Sequence, residues 1–309
     1  MSAVFASLVP VFLVIATGWV ARVTGFIGDK HWPGFERVTY VVFFPALVID
    51  TLVRANLASV PVAGVGGALF GAVLLVSAAV IALRPVLVHR LGVDGPSFTS
   101  VFQGATRWNT FVAIAVAGGL HGPRGVALMA VAIAAMVPLL NVLAMAVFVR
   151  YAGGPRQTAW QSFGAFASNP FIWSCAVGLM LNPIGRFIPD TVLSYAEIIG
   201  RASLSAGLLV VGAGLDLRSL SRPRAVHLVT VGLKLFAMPI AAALLARAFG
   251  VEGPDLAVAV IAASVPTAAG AYVLARQLGG NAPLMAEILT LQTVTAMASM
   301  PVMLTMLAR

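Results

Sequence analysis

Charge is what this chain has least of. Asp, Glu, Lys and Arg make up 9% of its 309 residues, against roughly 25% in a soluble globular domain. Hydrophobic residues make up 60%, more than a soluble core of this length needs. Cysteine is nearly absent. Cys175 is the single one and lies in an apolar run, which excludes an intrachain disulfide and reads as small core filler. The four histidines (His31, His89, His121, His227) fall in or near loops, and none stands at zinc-ligand spacing from another. No G-x-S-x-G, P-loop or dinucleotide fingerprint occurs, so hydrolytic or redox chemistry has no carrier and no metal or cofactor is expected. The chain reads as not an enzyme. The ~10-residue alternation of an outer-membrane barrel is missing as well.

Long apolar runs are what the chain has instead: Ala3–Val20, Val62–Leu83, Gly125–Val149 and Leu228–Ala246. A bilayer-spanning helix needs about 20 such residues, so the expectation is an all-α integral membrane protein. Ten spans are read, at 3–22, 35–55, 62–88, 97–120, 124–149, 161–182, 190–215, 225–246, 255–278 and 283–307. The first lacks a basic start and a small-residue cleavage site and runs on into Arg22, so it reads as a span rather than a signal peptide. The net charge of +9 is no nucleic-acid signal, because the basic residues are scattered over loops. Lys and Arg divide 11 to 5 between odd and even loops, which puts the odd loops in the cytoplasm and both termini outside a bacterial inner membrane.

One turn is spelled twice. Gly92-Val-Asp-Gly-Pro96 recurs 158 residues later as Gly250-Val-Glu-Gly-Pro254, and the register continues without a gap to Gly122 and Gly280. GVxGP is a good turn and chance could supply two. Span count and register favour a duplication instead, with residues 1–150 as spans 1–5, a cytoplasmic linker at 151–160, and 161–309 as spans 6–10. Five is odd, so the second copy is inverted. Inverted repeats are typical of secondary transporters, whose sites lie where interrupted helices meet near the midplane.

Spans 4 and 9 follow the repeated turns. In span 9, Pro266 lacks an N–H in mid-span, which interrupts a helix, and Ser264, Thr267 and Gly270 surround it. Span 4 carries Gln103, Thr106, Arg107, Asn109 and Thr110, the most polar stretch within any span. Arg107 either snorkels to an interface or stands as a fixed positive charge facing a wet cavity, where it would grip a carboxylate. Glu197 and Arg201 stand four apart and are expected to pair, as are Asp50 and Arg54. Lys234 and Glu287 have no local partner. They either pair across spans 8 and 10 or belong to a proton or ion path.

Several pieces taken in order carry a family resemblance: "FFPALVIDTL" with Pro45, Asn109, "PLLNVLAMAV" with Pro138 and Asn141, "NPFIWSCAVGLMLN" with Asn169 and Pro170, "LLVVGAGLDL" and "KLFAMP". They close with "SVPTAAGAYVLARQLGGN" and "LTLQTVTAMASMP". Over its whole length the chain resembles the auxin efflux carrier family, bacterial relatives of the plant PIN-type carriers. The resemblance implies the inverted five-plus-five fold shared with the bile-acid symporters, with spans 4 and 9 broken and crossing. It also implies a scaffold of spans 1, 2, 6 and 7 that can dimerise, and an elevator-type transport domain of spans 3–5 and 8–10. Substrates of the family are organic anions such as indole-acetic acid, malonate or malate. One departure is that family members often carry a proline shortly after the span-4 Asn, where "NTFVAIAVAGG" has none.

The expected function is a secondary carrier of small organic acids. Arg107, Asn109, Thr110, Ser264, Pro266, Thr267 and Gly270 are its substrate-site candidates, and Gln103, Thr106, Lys234, Gln277 and Glu287 are candidates for ion or proton coupling. The alternative is a sodium-coupled symporter with a carbonyl and hydroxyl cage drawn from Gln103, Thr106, Ser264 and Gln277. A membrane sensor or enzyme is a third, lesser reading. Partners are the acid, the bilayer, a coupling proton or sodium ion, and a second copy through the scaffold helices.

Overall fold

In the computed structural model the described residues are 2–55, 61–153, 170–217 and 223–308. Most of the expected 151–160 linker and the start of the sixth span, Asn169 included, lie outside them. Among the described residues all regular structure is helical. Five stretches are long and apolar enough to cross a membrane: Val62–Leu91, Gly95–Tyr151, Asp190–Ala213, Ala225–Ala248 and Ala282–Leu307.

The chain opens with α1 (Ser2–Val23) and α2 (Trp32–Val38). A wide π turn at Thr39–Phe43 joins α2 to α3 (Phe44–Arg54). A second π turn, Leu233–Ala237, joins α9 (Ala225–Gly232) to α10 (Met238–Ala248). Each precedes a proline, Pro45 and Pro239, at the second position of the next helix. The missing N–H and the ring of a proline spoil the regular ladder one turn back, and a wider turn absorbs the defect. Between these lie α4 (Val62–Leu91), α5 (Gly95–Thr106), α6 (Thr110–Tyr151), α7 (Pro170–Leu181) and α8 (Asp190–Ala213). The chain closes with α11 (Gly253–Ser264), α12 (Gly270–Gln277) and α13 (Ala282–Leu307). Inside α6 the backbone turns sharply at Gly122 (φ 58°, ψ −146°), a conformation only glycine tolerates, so α6 is two helices end to end.

The two GVxGP turns have one local logic. Gly92 and Gly250 both take positive φ, 63° and 72°, after α4 and α10, the usual glycine stop of a helix. Val93 and Val251 behind them are buried. α5 and α11 then start at Gly95 and Gly253, and each runs 12 residues. Asp94 caps α5 by accepting the Ser97 N–H at 2.8 Å. Hydrogen bonds from Ser97 hold its carboxyl below the ordinary carboxylate range. Glu252, one methylene longer, makes no side-chain cap on α11.

By contact the helices sort into two packed groups. α1, α3, α7 and α8 pack together, and α4, α5, α6, α10, α11 and α13 form the other group. They meet along α6, which also touches α1, α3, α7 and α8. Lipid supplies no hydrophobic drive between helices, so close approach through small residues matters. Gly18 of α1 faces the Leu209 carbonyl, and Gly212 of α8 faces the Ile15 carbonyl, each so closely that a Cβ would collide with backbone. Charges add a second tie. The expected Asp50–Arg54 and Glu197–Arg201 pairs both form, and Arg54 reaches Glu197 at 3.6 Å, joining them into one chain across α3 and α8.

Gly212→Ala should lower stability by about 1–3 kcal/mol through overpacking. Gly232→Ala, where a Cβ meets open space, should raise it by about 0.5–1 kcal/mol. Thermal unfolding in detergent measures both, and equal shifts would remove the α1–α8 contact as a determinant of packing.

Candidate functional site

Both spans that follow the repeated turns are interrupted. α5 ends at Thr106 and α6 begins at Thr110, while α11 ends at Ser264 and α12 begins at Gly270. The residues just past the two ends, Arg107 and Val265, take nearly the same extended backbone, with φ/ψ of −66°/156° and −69°/151°. The breaks touch, because the Asn109 N–H donates to the Pro266 carbonyl at 2.9 Å. Proline accounts for the break at Pro266. Span 4 has no proline, and there Asn109 restarts the helix by accepting the Val112 N–H on its side-chain oxygen at 3.2 Å.

The ends of these half-helices are sorted by polarity. The carbonyl ends of α5 and α11 take donors from the protein itself. Gln292 gives its amide to the Gly104 carbonyl at 2.9 Å, and Thr267 gives its hydroxyl to the Gln103 carbonyl at 3.4 Å. Lys234, wholly buried in the second π turn, reaches the Ala263 carbonyl at 3.4 Å. The hydroxyls of Thr106 and Ser264 turn back onto their own helices, to the carbonyls of Phe102 and Val260. Gln292 also accepts the Thr267 N–H at 3.0 Å, so one amide serves both breaks.

The amino ends of α6 and α12 face elsewhere. Thr110 and Gly270 line a cavity of about 130 Å³, together with Arg107, Trp108 and Asn109 of the first break and Tyr40 of the first π turn. Glu36, Thr39 and Asn141 complete its polar lining. Arg107 donates through Nη2 to Asn141 Oδ1 at 2.7 Å. Three buried nitrogens on consecutive residues, Arg107 Nε, Trp108 Nε1 and Asn109 Nδ2, have no partner among the described residues. The cavity adjoins a vestibule of about 2070 Å³ that shares Glu36, Tyr40, Arg107, Asn141 and Gly270.

Residues 165–304 match the family model described as membrane transport protein, the auxin efflux carrier family. An uncharacterized transporter of Methanothermobacter thermautotrophicus is 23% identical over 307 residues, covering 96% of this chain and 95% of its own.

Of the transporter's expected substrate residues, Arg107, Asn109, Thr110 and Gly270 line the cavity. Pro266 holds Asn109 through its carbonyl, while Ser264 and Thr267 are bonded within the break. The coupling candidates do not gather. Gln103 donates to the Ala271 carbonyl at 3.3 Å, and Gln277 lines the outer vestibule. Glu287 pairs with Arg224 and His227 at 2.7 and 2.8 Å, not with Lys234. That pairing was hidden because Arg224 and His227 read as loop residues. Sequence reasoning also passed over Trp108, Glu36, Tyr40 and Gln292. Only Gln292 left a signal, as a lone amide in the apolar run of span 10.

Gln292→Leu strands the Thr267 N–H and the Gly104 carbonyl, each costing about 1–3 kcal/mol when buried. The expected outcome is a marked fall in the thermal midpoint. A midpoint within about a degree of wild type would mean that Gln292 does not join the breaks.

Proposed function

We propose that the transporter is a secondary carrier of small organic anions, taking its substrate in the cavity where the two interrupted helices cross. The observation that carries this is the run of three unpartnered buried donors at Arg107, Trp108 and Asn109. A buried donor without an acceptor is costly, and a carboxylate accepts several at once. Two helix amino ends add partial positive charge on the same side, and Arg107 adds a full one. The size favours a small acid. A cavity of roughly 150 Å³ holds a benzene-sized ligand, so about 130 Å³ suits malonate or malate better than an indole acid.

The inverted repeat belongs to the same proposal. Its support is the 158-residue register of two 12-residue half-helices with matching exits and a pair of turn-to-turn ties, in which Ser97 and Asp255 correspond by that register while Arg124 stands one residue past the counterpart of Asn281. Asn281 donates to Ser97 at 2.9 Å where α13 meets α5, and Arg124 grips Asp255 with two bonds of 2.7 Å where α6 meets α11. The two packed groups supply a scaffold (spans 1, 2, 6 and 7) and a transport domain (spans 3–5 and 8–10) for elevator-type alternating access. The vestibule is lined by Arg22, Arg37 and Arg276, on the arginine-rich side. By the positive-inside rule it opens inward.

Labelled malonate should enter proteoliposomes saturably. Asn109→Ala should lower kcat/KM by about tenfold to a hundredfold, the worth of a hydrogen bond to a charged group. Arg107→Lys, which keeps charge but loses the planar fork, should lower it as well. Wild-type flux in both variants, or no carboxylate uptake by the folded wild type, would remove the crossover cavity as an anion site.

A further inference from the structure

The cavity that offers donors to an anion also contains a carboxylate. Glu36 of α2 is half-buried and lines both the cavity and the vestibule. Its side chain makes no hydrogen bond or ion pair among the described residues. The other acids well inside the spans, Asp50, Glu197 and Glu287, are each paired with an arginine. Arg107 stands in the same cavity, yet no ion pair joins it to Glu36; its Nη2 goes to Asn141.

An organic anion held by Arg107, Trp108 and Asn109 shares about 130 Å³ with this second carboxylate. Two carboxylates in one poorly solvated site do not both stay ionised, and one takes a proton. Anion binding therefore raises the proton affinity of Glu36. By linkage, a protonated Glu36 raises the affinity for the anion by the same factor. We infer that Glu36 is the proton-coupling group of this carrier, taking up one proton as the anion enters and releasing it as the anion leaves. The inference rests on the reading of the cavity as an anion site.

The surroundings leave this role to Glu36. Tyr40 and Arg107 are the other titratable groups of the cavity. A phenol and a guanidinium both hold their protons well above neutral pH, so neither changes charge in the working range. The part of α8 packed here presents Gly207, Val210 and Val211, none of which titrates. Arg22, Asp29, Arg37, Asp216, Tyr272 and Arg276 line the wide vestibule that Glu36 also borders, where water and salt screen them. The carbonyl ends of α5 and α11, where a coupling cation would find oxygen ligands, already take donors from Thr267, Gln292 and Lys234. A proton on Glu36 needs no such cage.

The test uses full-length protein in sodium-free proteoliposomes, with the membrane potential clamped at zero by potassium and an ionophore. One proton per anion means that a gradient of about one pH unit, alkaline inside, drives about tenfold malonate accumulation in wild type. Glu36→Gln should lose that accumulation while malonate–malonate exchange remains measurable and no longer varies with pH. Glu36→Asp should keep the gradient response. Gradient-driven accumulation by Glu36→Gln, or wild-type flux indifferent to the gradient, overturns the inference and leaves the anion site standing. Loss of exchange as well, in monodisperse Glu36→Gln, makes Glu36 a binding or packing group and also overturns it. A wild type that carries no carboxylate overturns the anion site, and the inference with it.

Discussion

The bond from the Asn109 N–H to the Pro266 carbonyl joins two helices where each has given up its own ladder. Irregular backbone survives at membrane depth only if protein or a wet cavity satisfies its polar groups. Each break here leaves a carbonyl end and an amino end. The carbonyl ends are met by an amide, an amino group and a hydroxyl from Gln292, Lys234 and Thr267. The amino ends, at Thr110 and Gly270, border the cavity instead. Satisfying one polarity internally and leaving the other open is the basis on which the crossover is proposed to take an anion. Lys234 has its place in this scheme as a donor to the carbonyl end of α11.

The cavity also lies where the two packed groups meet. Arg107, Trp108, Asn109 and Asn141 come from one group, and Glu36, Tyr40, Gly207 and Val210 from the other. The group that holds the donors is tied across both breaks by Asn109 and Gln292, so it can move without dismantling them. The opposite wall is fastened by glycine contacts between α1 and α8 and by the charge chain from Asp50 to Arg201. In the proposed elevator motion the anion travels with its donors while Glu36 stays behind. Separation of the two carboxylates then lowers the proton affinity of Glu36, and the proton leaves when the anion has moved away.

Much of the fold was legible because the bilayer forces long apolar helices, and because Pro266 and the doubled GVxGP turn are local signals. The i,i+4 charge pairs were legible for the same reason, although their fusion through Arg54 and Glu197 needed the packing of α3 on α8. The first break was half legible. Its polar residues stood out, but the mechanism is a side-chain cap combined with a bond from 157 residues away. The rest of the site depends on long-range placement. Glu36 carried no signal in the sequence, and Trp108 only stands 158 residues before Pro266. Neither type nor spacing brings them to one cavity; only the crossing of α2 beside the first break does.

The two breaks are alike in backbone and unlike in chemistry, and the difference bears on where a ligand sits. At the second break the chain reads Val265-Pro-Thr-Ala-Ala269. Its hydroxyl and its first free N–H, both from Thr267, are spent on Gln103 and Gln292, so it offers the cavity methyl groups and a helix end. At the first break Arg107, Trp108 and Asn109 each keep a buried N–H without an acceptor. A proline at the position of Trp108 would break the helix more cheaply but would offer no donor. Replacing an obligatory breaker with a capped, tethered break trades local certainty for a side chain that can hold a substrate. In the proposed anion site the charged end of the ligand lies against the first break. The second break, rigid and already satisfied, fixes that geometry by presenting the Pro266 carbonyl to the Asn109 N–H.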